Sequence, residues 1–376
     1  MRVAVIGTIA SSILGFRRDL IKALLEQGHE VFALAMDFND ETKQLVRELG
    51  ATPVNYALSR AGVNPIRDLL DTIKLAKILR SIQPDLVFSY FVKPVIFGTL
   101  AARLANVKRR VAMLEGLGFI FTEQPEGVSK KIYLLRKIQV LLYRLSFPLL
   151  DQVIFLNPDD PKDLIARYKL KVKKVSVLGG IGLDLKSYPY AKPDLNKISF
   201  LFIGRLLKEK GINEFIAAGK IVKKLYPEVG FTILGGLDEE NPGGLSAAEL
   251  KHLVNTGLID YPGHVSNIYE RIVQSSVFVL PSYYREGVPR STQEAMAVGR
   301  PIITTNVPGC RETVIDEVNG FLIPPWDPQC LADKMIYFIK NQALIEKMGL
   351  ESYYIAQQKF DAAKVNKRLI ELLDLC

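Results

Sequence analysis

The sequence predicts an α/β protein with two domains of similar size, each built on a parallel β-sheet covered by helices. Two observations support this. Short β-branched segments alternate with amphipathic helical segments along the first half of the chain. The alternation stops at residues 179–197, which are rich in glycine, proline and polar side chains, and then resumes. Strands that alternate with helices are joined by right-handed crossovers, which make neighbouring strands parallel.

The first series of elements predicts a domain of residues 1–185, since the glycine-rich segment is a natural boundary. Its predicted strands are Arg2–Ile6, Glu30–Leu34, Thr52–Tyr56, Asp85–Tyr90, Arg110–Leu114, Gln152–Phe155 and Lys174–Leu178. Its helical patterns include Arg17–Gln27, Asp40–Leu49, Pro65–Ile82 and Val95–Ala105.

The second series predicts a domain of residues 186–355, followed by a separate helical segment of residues 356–376. The predicted strands are Ile198–Ile203, Gly230–Leu234, Val277–Leu280 and Pro301–Thr304. Helices are expected from Gly211, around Ala247–Asn255 and from Pro289. No further strand is expected after about Glu351.

The composition is that of an ordinary globular protein. Of 376 residues, 48% are apolar and 24% are charged, which excludes a disordered chain. No apolar segment is long enough to span a bilayer, and the first residues lack the layout of a secretory signal. The three cysteines are too few for a disulfide framework or a zinc site. We therefore expect a cytoplasmic protein, and its net charge of +9 permits anionic partners.

The first candidate site is the segment GRLLKEKG, from Gly204 to Gly211. A buried strand is expected to end at Gly204 and a helix to open near Gly211, so Arg205 and Lys210 share one loop. A guanidinium and an ammonium group beside a helix N-terminus suit a diphosphate. A solvated basic loop is the alternative for this segment taken alone.

The second candidate site joins a loop to the helix that follows it. Glu286 lies on the loop after a predicted strand, Pro289 is well placed to start a helix, and Glu294 falls in its second turn. Two carboxylates so placed can bracket an elongated polar ligand. The alternatives are an acid interacting with the helix dipole, for Glu286, and a surface glutamate, for Glu294.

Together these segments strongly resemble the retaining glycosyltransferases of family 4. The resemblance rests on Glu286, seven intervening residues and Glu294 after GRLLKEKG, and it continues through residues 294–325. The first domain is similar more loosely, in its opening strand and in three short segments. These are LSRAGVNP (58–65), KPVIFGTLAA (93–102) and LEGLGF (114–119). They look most like bacterial enzymes that extend a polyprenyl-diphosphate-linked sugar in O-antigen, capsule or N-glycan precursor assembly.

The resemblance implies the GT-B architecture: two facing Rossmann-like domains, an active site in the cleft between them, and a last helix that crosses back to the first domain. Arg205 and Lys210 match the family's diphosphate-binding pair. Glu294 matches the acid that holds the ribose hydroxyls, and Glu286 the acid beside the donor sugar. The donor-binding residues implied in this way are Gly204, Arg205, Lys210, Glu286, Gly287, Val288 and Glu294, the amides of Gly287 and Val288 facing the phosphates.

The chain departs from the family at one position. Many members carry a His-Gly pair after the fifth strand, whereas this chain has Glu115 followed by Gly116. A carboxylate there accepts hydrogen bonds or stabilises positive charge. The alternative is a strand-end acid that caps nearby amides. The candidate catalytic residues are thus Glu286, Arg205, Lys210 and Glu115, with the role of Glu115 open.

We expect no metal and no resident cofactor. The chain contains no Asp-x-Asp triplet, the motif with which transferases of the other major architecture hold a divalent ion. Arg205 and Lys210 would stabilise the departing diphosphate directly. The expected co-substrate is a nucleotide sugar, and the resemblance favours a UDP-sugar.

The segment from Gly127 to Leu150 contains five basic residues and no acid. On a helical wheel its apolar side chains occupy about half of the circumference. One interpretation is an interfacial helix on anionic lipid, and the other is a core-packed helix with a solvated basic face. The basic residues are Lys130, Lys131, Arg136, Lys137 and Arg144.

The sequence therefore predicts a retaining, metal-independent glycosyltransferase at the inner face of the cytoplasmic membrane. The expected transfer is of a hexose or N-acetylhexosamine, of galactose or N-acetylgalactosamine type, from a UDP-sugar to a polyprenyl-diphosphate-linked saccharide. The alternatives are a nucleotide-sugar 2-epimerase or hydrolase on the same fold, and a non-catalytic subunit of a transferase complex. A nucleic-acid binder is not expected, because the basic residues form no recognition motif.

Overall fold

A computed structural model describes residues 1–58, 65–238, 243–263, 265 and 267–375. The segment LSRAGVNP lies almost entirely outside these residues. Contacts divide the chain into two compact units. The first unit comprises Met1–Ile120, Ser129–Ile181 and Ala363–Cys376, and the second comprises Phe121–Val128 and Gly182–Ala362. The predicted domains of residues 1–185, 186–355 and 356–376 remain a prediction.

The first unit contains a seven-stranded sheet in which every pair of neighbouring strands is parallel. The strand order is β3-β2-β1-β4-β5-β6-β7. Its central strands are buried along almost their whole length, as expected for a parallel sheet covered on both faces. The strands are β1 (Arg2–Ile6), β2 (Glu30–Ala35), β3 (Thr52–Asn55), β4 (Leu86–Tyr90), β5 (Arg109–Leu114), β6 (Gln152–Phe155) and β7 (Val175–Val177).

Helices connect these strands, and a last helix of the chain joins the same unit. The helices are α1 (Ala10–Phe16), α2 (Arg18–Glu26), α3 (Asp40–Glu48), α4 (Pro65–Ile82), α5 (Thr99–Leu104), α6 (Lys130–Ser146) and α7 (Asp159–Pro161). π-Helical turns cover Pro94–Gly98 and Lys162–Ala166. The last helix, at Ala362–Leu372, is numbered α14 below.

The second unit contains a five-stranded parallel sheet. Its order is β12-β11-β10-β8-β9. The strands are β8 (Ser199–Ile203), β9 (Gly230–Leu234), β10 (Val277–Leu280), β11 (Ile302–Thr305) and β12 (Gly320–Ile323). The helices are α8 (Ile212–Leu225), α9 (Ala247–Asn255), α10 (Ile268–Val273), α11 (Arg290–Ala297), α12 (Pro328–Lys340) and α13 (Ala343–Lys359), before α14.

The predicted strands all form, and each bound matches the prediction or differs from it by one residue. The strand β12 was not expected, because it is short and begins at a glycine that gives no periodic signal. The predicted helix Arg17–Gln27 is preceded by a separate helix, α1. The sequence did not predict α1, because Ser11, Ser12 and Gly15 interrupt its apolar pattern. Among the residues with described positions, no helix combines the length and the apolar character needed to cross a membrane.

Candidate active site

The residues singled out in the second half of the sequence lie on loops that follow β8 and β10, at the carboxyl edge of the second sheet. This edge is where ligands bind in parallel α/β sheets. The turn Lys208–Lys210 follows β8 and ends at Gly211, whose φ is +80°. A Cβ atom at Gly211 would lie 2.1 Å from the carbonyl oxygen of Pro281, just after β10. The missing side chain therefore allows these two loops to touch.

Lys210 and Glu286 form an ion pair across these loops, through Nζ and Oε1. Their side chains are 16% and 12% exposed, so the pair is largely shielded from water. The hydroxyl of Ser282 lies 3.2 Å from the same carboxylate oxygen. The Lys210 ammonium group is also 5.2 Å from the centre of the Tyr284 ring. Both predicted site residues are thus fixed in place by neighbours.

The backbone holds the Glu286 loop against its surroundings. A Cβ atom at Gly309, where φ is +83°, would lie 2.5 Å from the carbonyl oxygen of Glu286 and 2.6 Å from that of Gly287. The side-chain amide of Gln293 donates to the Val288 carbonyl oxygen over 3.2 Å. Gly287 and Val288 are therefore closely packed directly before α11, and the sequence likewise placed them before a helix.

A buried thiol lies beneath this loop. The Sγ atom of Cys310 donates to the Ser282 carbonyl oxygen over 3.7 Å. Burial, and then the Glu286 charge, raises the pKa of Cys310 to about 12. The thiol therefore stays protonated at neutral pH and is no nucleophile.

Arg205 has a more open setting than Lys210. It follows Gly204 at the end of β8, its side chain is 53% exposed, and its Nη1 atom lies 3.7 Å from Oδ2 of Asp238. Such exposed pairs contribute little to stability. The guanidinium group is therefore accessible to an anionic ligand.

Glu294 lies in the second turn of α11 and is nearly buried, with 8% of its side chain exposed. Arg290 Nε and the Tyr188 hydroxyl each donate to Oε1 over 3.0 Å. Burial raises the pKa of the Glu294 carboxyl, against the opposing charge of Arg290 and the hydrogen bonds from Arg290 and Tyr188. Burial and the Glu294 charge likewise raise the pKa of Tyr188. The surface-glutamate alternative is therefore wrong.

Glu115 lies in the first unit, directly after β5, at the carboxyl edge of that sheet. The Arg17 guanidinium group donates from Nη2 to its Oε1 atom. Arg17 is 2% exposed and Glu115 is 10% exposed. Within the described residues Glu115 accepts no hydrogen bond from a backbone amide, as the alternative of a capping acid would require, and it contacts the buried Arg17 instead.

The basic residues of α6 divide into two groups. Lys130, Lys131, Lys137 and Arg144 are exposed, whereas Arg136 is half-buried and donates to the Ile120 carbonyl oxygen over 2.9 Å. Arg136 therefore does not belong to a solvated basic face.

The buried face of α6 is not its leucine-rich face, which a core-packed helix would bury. It consists of Gln139, Val140, Tyr143 and Ser146. Leu134, Leu141 and Leu145 are instead 59%, 55% and 57% exposed. The apolar half of the wheel is therefore only partly used for packing.

Comparison with known proteins places the chain in a family. The model of "Glycosyl transferases group 1" matches residues 190–353, and that of "Glycosyl transferase 4-like" matches residues 3–157. A Campylobacter jejuni protein named N,N'-diacetylbacillosaminyl-diphospho-undecaprenol alpha-1,3-N-acetylgalactosaminyltransferase is 31% identical, over 100% of this chain and 98% of the relative. The chain belongs to this glycosyltransferase family. The predicted family and enzyme class are confirmed.

Other similarities agree with this assignment. The Escherichia coli UDP-Gal:alpha-D-GlcNAc-diphosphoundecaprenol alpha-1,3-galactosyltransferase is 29% identical to this glycosyltransferase over 69% of the chain and 68% of the relative. The crystal structure of Anabaena HepE in complex with UDP superimposes with a TM-score of 0.76 at 19% identity, covering 100% of both chains. Sucrose-phosphate synthase from Thermosynechococcus elongatus gives a TM-score of 0.78 at 17% identity, covering 100% of this chain and 98% of the other. The predicted GT-B class of two parallel-sheet α/β domains is confirmed.

Sequence reasoning singled out the three candidate acids and Lys210 but missed the other side chains that contact the site residues. Tyr and Arg residues in loops give no periodic signal, and the partners are distant in sequence. Only Arg290 could have been found, because it lies one helical turn before Glu294. The partners not predicted are Arg17, Tyr188, Asp238, Ser282 and Arg290.

Within the parts of the chain that the structure describes, no group of three or more His, Cys, Asp or Glu side chains is arranged to hold a metal ion.

Proposed function

We propose that this glycosyltransferase is a retaining, metal-independent enzyme of cell-surface glycan biosynthesis. It moves a hexose or N-acetylhexosamine, of galactose or N-acetylgalactosamine type, from a UDP-sugar to a polyprenyl-diphosphate-linked saccharide. The observation that carries this proposal is the shielded Lys210–Glu286 pair at the carboxyl edge of the second sheet. It supplies a positive charge for a diphosphate and a carboxylate for a sugar hydroxyl, side by side.

Lys210 and Arg205 are proposed to bind the diphosphate of the donor. Negative charge on the leaving diphosphate grows as the glycosidic bond breaks, so a fixed ammonium group stabilises the transition state more than the ground state. Lys210 is held by Glu286 and Tyr284, which limits its reorganisation during the reaction. Arg205 is exposed enough to form a forked contact with phosphate oxygens.

Glu294 is proposed to hold the ribose hydroxyls of the donor. Arg290 and Tyr188 donate hydrogen bonds to Glu294, and both contact Oε1. Oε2 has no hydrogen-bond partner among the residues with described positions. We propose that this oxygen accepts hydrogen bonds from the ribose hydroxyls.

The acceptor assignment is supported by the names of the relatives. The C. jejuni and E. coli proteins are both named as transferases acting on sugars linked to undecaprenol through a diphosphate. They are named for the transfer of N-acetylgalactosamine and galactose, respectively. We propose an acceptor of the same chemical class for this enzyme.

The proposed location is the cytoplasmic face of the membrane, with α6 as the contact. Its exposed leucines, Leu134, Leu141 and Leu145, fall on one stripe of the helix. Lys130, Lys137 and Arg144 recur every seven residues on the adjacent stripe. Apolar side chains beside cations are the pattern of a helix that lies in the interface of an anionic bilayer.

The proposal is tested by incubating the purified enzyme with a panel of labelled nucleotide sugars and defined polyprenyl-diphosphate glycans. We expect transfer from a UDP-sugar with retention of the anomeric configuration, read by NMR of the product. Release or epimerisation of the donor sugar without acceptor would favour the epimerase or hydrolase alternative. No turnover with any pair would contradict the proposal as a whole.

The same assay tests metal independence. We expect the transfer rate to persist in excess EDTA, since the two basic side chains replace the charge of a metal ion. Loss of activity in EDTA that magnesium or manganese restores would contradict this part of the proposal alone.

A further inference from the structure

A second ion pair, outside the proposed donor site, lies at the carboxyl edge of the first sheet. It joins Arg17, between α1 and α2, to Glu115, after β5. The carbon at the centre of the Arg17 guanidinium group is 4.4 Å from the centre of the Tyr90 ring, at the end of β4. The segment after β1, the end of β4 and the segment after β5 therefore meet at one point, and these three strands are neighbours in the sheet.

The Tyr90 ring is itself held in place. Its hydroxyl lies 3.0 Å from Oγ of Ser12 in α1. A Cβ atom at Gly7 would lie 2.1 Å from the same hydroxyl, so the chain after β1 fits closely around it. Burial raises the pKa of Tyr90 to about 12, so the ring stays neutral beneath the Arg17 cation. Arg17 thus rests on a rigid aromatic surface.

The two oxygens of Glu115 are in different situations. Arg17 contacts Oε1, while Oε2 has no hydrogen-bond partner in the described portion of the chain. The side chain keeps 10% of its surface exposed, unlike Arg17 with 2%. One oxygen is therefore fixed and the other is available to a ligand at the edge of the sheet.

A structural role alone explains this arrangement poorly. A buried ion pair contributes little net stability, because the loss of hydration offsets the attraction between the charges. The carboxyl edge of a parallel sheet is instead where substrates bind.

We propose that Arg17 is a positioning residue that orients Glu115 through Oε1, so that Oε2 accepts a hydrogen bond from a hydroxyl group of a bound sugar. The inference rests on the proposed function and assigns a ligand class to Glu115. The sugar belongs either to the donor or to the acceptor, and the experiment separates these two sources.

The test is a double-mutant cycle in kcat/KM with Arg17→Met, Glu115→Gln and the double variant. A hydrogen bond to a charged group contributes enough for its loss to lower kcat/KM by about 10- to 100-fold. We expect each single variant to show such a loss. In the Glu115→Gln background, Arg17→Met should have little further effect, because Arg17 then has no carboxylate to orient.

Folding is followed separately by thermal melting, and rates are measured well below each melting temperature. Arg17→Met should lower the melting temperature, since it leaves a buried carboxylate unpaired, and the double variant should recover part of that loss. Arg18→Met is the matched control: it removes the same charge from an exposed neighbour and should leave kcat/KM unchanged.

The Michaelis constants identify the sugar. A rise in the donor KM of Glu115→Gln assigns the hydroxyl to the donor, and a rise in the acceptor KM assigns it to the acceptor. Independent, multiplicative losses from the two substitutions, or no loss in either, would overturn the inference while the parent enzyme remains active. A parent enzyme that transfers no sugar would overturn the proposed function and this inference with it.

Discussion

At the scale of single residues, the three candidate acids share one arrangement. Glu115, Glu286 and Glu294 each accept from a basic side chain through Oε1. The acids could be predicted from the sequence, because a spaced motif or a strand end marks them. Two of the pairings could not be predicted, because Arg17 and Lys210 are 98 and 76 residues away from the acids that they contact. Only folding brings such pairs together.

The clearest expectation at this scale concerns Lys210. Lys210→Ala should lower kcat by about 100- to 1000-fold, because it removes a fixed charge that acts on the leaving diphosphate. The donor KM should change much less, since this contact strengthens mainly in the transition state. Steady-state kinetics at saturating acceptor measure both constants.

Lys208→Ala is the matched control for Lys210→Ala. Lys208 lies on the same turn and has the same charge, but its side chain forms no ion pair with any residue that the structure describes. Its kcat should stay near that of the parent. A near-parental kcat for Lys210→Ala at saturating donor would support the alternative that the segment from Gly204 to Gly211 is a solvated basic loop.

Glu294 should make donor binding depend on pH. Its pKa is raised above the ordinary value of 4.5, so its carboxylate is protonated at a higher pH than that of an exposed glutamate. As the pH falls through this raised pKa, the carboxylate loses an acceptor site and the donor KM should rise. Since the protonated form is favoured in the folded protein, the contribution of Glu294 to stability should be present at low pH and lost as the pH rises.

Glu294→Gln should raise the donor KM at neutral pH and abolish this part of its pH dependence. The measurement is the donor KM of both proteins from weakly acid to neutral pH. Parallel pH profiles for the two proteins would show that another group is responsible.

At the scale of elements, periodicity predicted strands and most helices well. Continuous β-branched segments such as β1 and β9 have bounds that match the prediction. The signal failed where an element is short or interrupted, as in β12 and α1. It also failed to orient α6, because the wheel shows which residues share a face but not which face packs. The exposed stripe of leucines became visible only in the structure.

The membrane contact proposed for α6 can be tested with two sets of substitutions. Reversing Lys130, Lys137 and Arg144 to Glu removes an attraction of about 1 kcal/mol per charge near an anionic surface and adds repulsion. Replacing Leu134, Leu141 and Leu145 by Ser removes apolar area available for insertion. We expect both triple variants to sediment more weakly with anionic liposomes, and the charge variant to lose the salt sensitivity of the parent.

A control with the same change in charge places the reversals elsewhere. It carries Lys22→Glu, Arg47→Glu and Lys220→Glu, all at exposed positions outside α6. This variant should bind liposomes more strongly than the α6 charge variant. Equal binding by the two would show that net charge, rather than α6, governs association.

At the scale of the whole molecule, α14 is the part of the chain end that completes the first unit. Arg109 pairs with Asp374, and Arg368 Nη2 donates to the Val177 carbonyl oxygen over 3.0 Å. Leu369 and Leu373 are 2% and 0% exposed. The end of the chain is therefore integral to the core that the beginning of the chain forms.

Leu373→Ala should destabilise the first unit by about 2–5 kcal/mol, since it leaves a cavity in a packed core. Calorimetry should show a lower melting temperature for one unfolding transition, and added UDP should raise the melting temperature of the other, that of the second unit, for which we propose donor binding. Lys367→Ala, at an exposed position on α14, should leave both transitions unchanged. A uniform decrease in both transitions would contradict the assignment of α14 to the first unit.

The division of the chain also constrains the order of events during translation. Residues 121–128 and 182–362 make up the second unit, and all of them are synthesised before residue 363. The first unit includes residues 363–376, so this segment leaves the ribosome only after the whole of the second unit. Domains commonly fold in the order in which they emerge, beginning at the N-terminus. Here the unit that begins first receives α14 only after the second unit has been synthesised, so the second unit has its full sequence before the first unit does.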